Sequence, residues 1–394
     1  MNLYAFVRPG TELVSQKEIQ EVCNVNSIIH NSVLEFDVKN KEDIVQAVYH
    51  LQSVRRLVFS LGKYQDIESI NFNSVQFPWK DIFSKTCSCK VDVEGVKGQD
   101  NRITIAKNVL SSLLPTIEQK CGFTPNIDVK NPSIIISVFH NGDNYFIGID
   151  MCGKELDARF YRVFPHSGSF KGDLAYYFVR KSGFSKGEQL LIGFVKDGAL
   201  VIEAAIFEST YLVQDITQKD LSLFSFPLFH NFDFDQVISN PTQDNNKNIF
   251  AFDESTRNHT AARKNIKIAG VSSQIEISKH DIDDLDVRYS KDQFNRLIFH
   301  VTTKDEERIN EIYYQASYVL QKKGTLLFIG RENWDVSVSE KFTLIEKRRL
   351  FMEKESMCYG FSKRNNFCTE SFSKQIFYIL LSLRWYEEWP ILKN

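Results

Sequence analysis

LLIGFVKDGALVIEAA, residues 190–205, decides the fold of the C-terminal half of the chain. An apolar strand end at 190–192 runs into a short turn from Gly193 to Gly198, and a helical pattern starts at once with Ala199. A strand that turns directly into a helix is the unit in which an α/β sheet receives a nucleotide. Between the two glycines stand Phe194, Val195, Lys196 and Asp197, so the turn carries bulky side chains.

Working outward, strands are predicted at 249–252, 274–278, 296–301 and 325–329, with helices at 256–269 and 308–322. Strands alternating with helices argue for a doubly wound, mostly parallel sheet. Segments 342–345 and 357–361 read as its closing antiparallel hairpin. The Phe-, Asp- and Asn-rich stretch 209–246 reads as an insertion or capping loop, because structureless loops of that length are uncommon inside a domain.

Upstream, strands at 3–7, 32–38 and 54–61 alternate with helices at 12–22 and 41–51, a small α+β unit. A second α+β unit spans 65–150. It has a helical turn at 79–83, a strand at 89–96 and a helix at 101–121 with Ile105, Val109, Leu113 and Ile117 on one stripe. A short strand at 126–129 follows, then a hairpin (133–140 and 145–150) around Asn141-Gly142-Asp143. The expected division is 1–62, 63–152, a linker at 153–172, and 173–394.

The chain has 394 residues, 43% of them hydrophobic and 25% charged, which fits two or three folded domains rather than a disordered protein. A net charge of −2 excludes a global basic field, so nucleic-acid binding has to come from a local patch. Cys87 and Cys89 are a C-x-C pair with no second pair at zinc-finger spacing, so no metal site is expected and the thiols read as reduced and cytoplasmic. The start MNLYAFVRPG lacks an apolar signal core, and the apolar run at 376–383 is too short to span a bilayer. No membrane association is expected.

IDMCGKELDARFYRVFPHSGSFKGDLAYYFVRKSGF, residues 149–184, is the most specific stretch of the chain. It matches a pattern I-D-x-x-G-x-x-L-H-K-R-G-Y-R, then H-P-A-P-L-K and a helix ending in S-G. Asp150, Gly153, Leu156, Arg159, Tyr161, Arg162, His166, Lys171, Leu174, Ala175, Ser182 and Gly183 fall in register. With FAFDESTRNHTAARKNIKIAGV (250–271) and the strand–turn–helix unit, these residues resemble the THUMP-containing RNA methyltransferases that modify the exocyclic amine of guanosine in tRNA or rRNA. The resemblance covers nearly the whole chain. It implies a ferredoxin-like plus THUMP module (α+β), then a Rossmann-like methyltransferase domain with a mostly parallel sheet and S-adenosylmethionine as the family's cofactor.

Two departures qualify what it implies. The family's cofactor loop reads D-P-M-C-G-S-G-T, where this chain has Ile192 through Ala199. The carboxylate that would meet the cofactor's ammonium is gone, and Lys196 replaces the first glycine where backbone should approach the cofactor. The family's N-P-P-Y element, which positions the target amine and stacks on the base, falls near 299–304. His300, Val301, Thr302 and Thr303 occupy that place, so no catalytic residue is assigned. Tentative cofactor contacts survive at Asp253 (ribose hydroxyls), Asp281 (adenine amine) and Gly198, although an Asp after a strand is equally an ordinary turn or cap.

Candidate RNA contacts are Arg159, Tyr161, Arg162 and Lys171 on the connector, Arg55 and Arg56 before it, and Lys97, Arg102 and Lys107 at the start of the long helix. Lys347-Arg348-Arg349 is diluted by Glu346 and Glu353 and reads as a solvated turn. Trp385, Tyr386 and Trp389 either anchor a partner subunit or pack on the chain's own core. The expected function is an RNA-binding relative, with tRNA as ligand, that has lost catalysis and needs no cofactor. It would present RNA to another protein or form the inactive half of a dimer. The alternatives are an active guanosine-N2 methyltransferase that uses S-adenosylmethionine through divergent motifs, and a protein-interaction scaffold that binds no RNA.

Overall fold

The protein was analysed as a computed structural model describing residues 1–209, 211–214, 221–238, 247–331, 338–351 and 356–364. The 376–383 run and Trp385, Tyr386 and Trp389 lie outside the described residues.

The N-terminal half runs β1 (Asn2–Phe6), α1 (Glu12–Cys23), β2 (Ser27–His30), β3 (Val33–Asp37), α2 (Lys41–His50), β4 (Arg56–Tyr64), α3 (Trp79–Ile82), β5 (Ser88–Glu94), α4 (Gln99–Cys121), β6 (Asn126–Ile127), β7 (Ile134–His140) and β8 (Tyr145–Asp150). The capping box of α2 is explicit: Asn40 Oδ1 accepts from the Asp43 N–H at 2.9 Å, and the Asp43 carboxylate accepts from the Asn40 N–H. The stripe read for α4 is its buried face. β2 escaped the sequence reading because SIIH is only four residues long and leaves Ile28 and Ile29 exposed on the sheet edge.

These strands form one sheet in the order β2-β3-β1-β4-β8-β7-β5-β6. The boundary expected at 62 therefore falls inside β4, which pairs with β1 on one side and β8 on the other. Gly62, which reads as a strand end, is instead at a bulge between Ser60 and Gly62.

The C-terminal half runs α5 (Gly172–Lys181), β9 (Leu190–Gly193), α6 (Ala199–Ser209), α7 (Phe234–Val237), β10 (Ile249–Asp253), α8 (Thr256–Ile268), β11 (Ile275–Lys279), α9 (Leu285–Arg288), β12 (Phe294–His300), α10 (Glu306–Val319), β13 (Leu320–Arg331), β14 (Phe342–Phe351) and β15 (Ser356–Arg364). The sheet order is β11-β10-β9-β12-β13-β15-β14, parallel from β11 to β13 and antiparallel in the closing hairpin. This is the doubly wound sheet the alternation predicts. One detail differs: residues 320–322, read as the end of a helix, already belong to β13, whose Leu320 pairs with Phe294. α6 is buried from Ala199 through Ile206, which explains a helix apolar on every side.

The described part of the 209–246 segment is not a free loop. Leu221, Leu223, Phe226, Phe229 and Ile238 join the core beneath the N-terminal sheet. Gln46 Nε2 donates to the Val237 carbonyl at 2.6 Å, fastening that segment to α2. Among the described residues no helix is long and apolar enough to cross a membrane.

Candidate functional site

β9 is flanked by β10 on one side and β12 on the other, so the strand order reverses there. An open α/β sheet binds its ligands at such a switch point, beyond the carboxyl ends of the strands. Gly193 ends β9, paired with Phe252 and Phe299. A side chain on Gly193 would lie 2.7 Å from the Phe252 ring and 2.8 Å from that of Phe299, so the aromatic floor of the site requires glycine here. Phe194 completes that floor, 5.5 Å from Phe252 and 6.1 Å from Phe299.

The loop then turns through left-handed backbone at Phe194 (φ 59°) and Lys196 (φ 54°), and again at Gly198 (φ 87°) before entering α6. Left-handed backbone costs a non-glycine residue about 1–2 kcal/mol, so Lys196 retains the shape of a glycine position without the glycine. Its backbone N–H donates to Asp253 Oδ2 at 2.9 Å. Its ammonium donates to the Gly168 carbonyl at 2.8 Å and lies 2.9 and 3.0 Å from the two ring nitrogens of His300. The His300 ring stacks on Phe170, with centroids 4.5 Å apart.

A cleft of about 390 Å³ opens here, lined by Phe194, Lys196, Asp253, His300, Thr302 and Thr303 among others. Asp253 sits in its wall, 3% exposed, with both carboxylate oxygens already engaged. Oδ2 takes the Lys196 N–H, and Oδ1 takes the Ser255 N–H at 2.9 Å and the Asn258 side chain at 3.1 Å. Val301 continues the strand ladder through its N–H to the Ile329 carbonyl, 2.9 Å. Thr303 Oγ1 accepts from the Asp305 N–H at 3.1 Å, just before α10. Asp281 is exposed, and of the three expected cofactor contacts Asp253 lines the cleft while Asp281 and Gly198 do not; the Ile282 N–H next to Asp281 donates to Glu254, the residue after Asp253, at 3.2 Å.

Of the connector residues expected to face RNA, Arg159 and Tyr161 point inward, whereas Arg162 and Lys171 are ion-paired but keep 20% and 38% of their side chains exposed. Arg159 and Glu203 both have fully buried side chains, joined Nε to Oε1 at 2.7 Å. Tyr161 donates its hydroxyl to Glu203 Oε1 at 2.6 Å, and Gln52 Nε2 donates to Oε2 at 2.7 Å. Burial opposes the charge on Arg159, but Glu203 more than restores it and holds the guanidinium above its ordinary range. Burial and Glu203 together push the Tyr161 hydroxyl well up. Arg56 is enclosed by Asp150, Asp92 and Glu94, at 2.8, 3.0 and 2.7 Å. Arg55 meets Glu155 at 3.1 Å, Lys171 meets Glu155 and Asp157 at 3.1 Å, and Arg8 meets Asp157 at 2.7 Å.

The physical reason is the set of buried acids. Asp150, Asp157, Asp173, Asp197 and Glu203 lie at 0–3% exposure and each needs a cation or donor. Their partners come from far away in sequence, which is why a reading of the connector alone takes its arginines to be free. Lys97, Arg102 and Lys107 are exposed, Arg102 with its Nε on the Val96 carbonyl at 2.8 Å.

One residue of the turn, Asp197, shapes the site in a way the sequence did not indicate. Asp197 accepts from Arg162 Nε at 2.9 Å, the His166 N–H at 3.1 Å, the Ala199 N–H at 3.2 Å and the Ser169 hydroxyl, tying the connector to the loop. Glu203 left one signal, an acid inside the apolar run 199–206 of α6.

The fold and site define a class: a THUMP domain ahead of a methyltransferase-type sheet whose loop and cleft lie at the cofactor switch point. Residues 64–150 match the THUMP domain model and residues 159–339 the RMKL-like methyltransferase domain model, and the chain belongs to this THUMP-containing, RMKL-like family. It is similar to the ribosomal RNA large subunit methyltransferase K/L of Aeromonas hydrophila, 24% identical over 242 residues, which is 59% of this chain and 33% of that protein. The chain thus spans about a third of that relative's length. Its fold matches a methyltransferase crystallised with S-adenosylhomocysteine (TM-score 0.72, 16% identity, 93% of this chain and 99% of that one). It also matches TrmN from Thermus thermophilus (TM-score 0.64, 15% identity, 92% and 99%). At these identities the likeness is one of fold.

Proposed function

We propose that this chain is an RNA-binding, noncatalytic member of its family, acting in the cytoplasm on a structured RNA, with tRNA the expected ligand. The observation that carries the reading is Lys196, which lines the cleft with its ammonium held between His300 and the Gly168 carbonyl.

S-adenosylmethionine fits these residues poorly. It brings a sulfonium and an ammonium beside its carboxylate, and the acid that would receive the ammonium is replaced by Ile192, fully buried in β9. The Lys196 charge repels a second cation: at 4 Å and an effective dielectric of 20, two like charges oppose each other by about 4 kcal/mol. Asp253 spends its acceptors on the chain itself. None of the N-P-P-Y residues is present at 300–303, where the ring nitrogens of His300 face the Lys196 ammonium and its ring stacks on Phe170. RNA binding is supported by the THUMP domain and by exposed Lys97, Arg102 and Lys107, which can meet phosphate without breaking a buried ion pair.

One observation favours retained activity as a second reading: the cleft beside Asp253 is still about 390 Å³. The test pairs filter binding of total tRNA with transfer of labelled methyl from S-adenosylmethionine to unmodified tRNA and rRNA. The proposal expects salt-sensitive RNA retention and no transfer. Transfer would establish the enzyme reading, and failure to retain RNA even at low salt would leave only a protein scaffold.

A further inference from the structure

We propose that the outer face of α8 is a second RNA-contacting surface, in which four cations grip phosphates and Phe164 provides a stacking platform. This rests on the RNA-binding reading above.

α8 contains Arg257, Arg263, Lys264 and Lys267 and no acidic residue. All four cations are exposed. At 100° per residue they fall on one flank, opposite buried Ala262, Asn265 and Ile266. None of the four has a carboxylate oxygen within 4.0 Å among the described residues. By contrast, Arg8, Arg56, Arg159, Arg162, Arg180, Arg296, Arg308 and Arg364 each meet an acid. In a chain of net charge −2, four unneutralised cations on one helix face are a segregated positive surface.

The helix does not stand alone. Lys264 Nζ lies 4.6 Å over the ring of Phe164, which is 38% exposed beside Val163 at 58%. Asn265 holds the Phe164 backbone at both ends: the Phe164 N–H donates to Oδ1 and Nδ2 donates to the Phe164 carbonyl, both at 3.0 Å. The same Nδ2 donates to the Asp197 carbonyl at 2.9 Å, so the aromatic is fixed to the loop that borders the cleft. An exposed, immobilised aromatic next to unpaired cations suits an RNA strand, whose bases stack while its phosphates are neutralised. From Arg257 to Lys267 the face is about 15 Å long, enough to follow several phosphates.

The test measures the affinity of labelled total tRNA across salt for four proteins. They are the wild type, an α8 variant (Arg257→Gln, Arg263→Gln, Lys264→Gln, Lys267→Gln), Phe164→Ala, and a THUMP variant (Lys97→Gln, Arg102→Gln, Lys107→Gln). The α8 variant is expected to bind at least about tenfold more weakly at low salt, with a log–log salt slope shallower by about 2 or more. Phe164→Ala is expected to lose about fivefold or more with an unchanged slope. If the THUMP variant is weakened while the α8 variant keeps wild-type affinity and slope, the α8 surface is overturned and the RNA reading stands. If the wild type binds no tRNA at any salt, the RNA reading itself fails. Displacement of bound tRNA by polyglutamate as readily as by unlabelled tRNA would assign α8 to an acidic protein and overturn the RNA contact.

Discussion

The ammonium of Lys196 lies 2.9 Å from Nε2 and 3.0 Å from Nδ1 of His300, joining the loop after β9 to the end of β12 across the switch point of the sheet. The two residues stand where the family has a loop glycine and the start of N-P-P-Y, so each departure occupies the space the other leaves. Lys196→Gly removes the side chain from the cleft and returns a glycine to left-handed backbone. It is expected to turn undetectable binding of S-adenosylhomocysteine into weak binding, with a Kd of about 1 mM, or about −4 kcal/mol. A ligand-dependent rise in melting temperature in the variant alone would show this; an equal rise in the wild type would refute it.

Arg159 is a structural residue because its partner is buried. Arg159→Ala strands Glu203 in the interior and is expected to cost about 3–5 kcal/mol in urea unfolding. Arg102→Ala, at an exposed position, should stay within about 0.5 kcal/mol. If Arg159→Ala instead weakens RNA binding and leaves stability intact, the inward assignment of the connector is wrong.

Glu18 gives the fold a pH signature. It accepts from the backbone N–H groups of Gln52 and Ser53 at 2.7 and 3.0 Å and from the Ser53 hydroxyl. Burial, the dominant influence, raises its pKa above the ordinary 4.5, with those hydrogen bonds opposing. The native state therefore holds the proton to higher pH than the unfolded chain does. The stability this group contributes is full below 4.5 and is lost as pH rises through the raised native value. Stability of the wild type relative to Glu18→Gln should decline across that window, as measured by denaturation at a series of pH values. A relative stability that increases with pH would contradict the assignment.

The doubly wound half of the fold was legible because each strand and helix there carries its own period: the 249–252 strand, the 256–269 helix and the closing hairpin all lie close to their observed positions. Local period says nothing of how units join. A bulge at Gly62 reads as a strand end, so a single sheet running from β2 to β6 looked like two units. The departures from the family pattern at 192–199 and 300–303 are residue identities and are read from the sequence alone. The contacts of Lys196 with His300 and of Arg159 with Glu203 are not, because they span 104 and 44 residues. Phe226 and Phe229, read as part of a loop, are core because the fold brings 221–238 beneath the N-terminal sheet.

Isothermal titration of S-adenosylmethionine into the full chain, with and without saturating tRNA, tests the central claim most directly. The account expects no saturable heat in either titration, because Lys196, Ile192 and the engaged carboxylate of Asp253 leave the cofactor's ammonium and sulfonium no carboxylate at the loop. Saturable micromolar binding to the wild-type protein would contradict it.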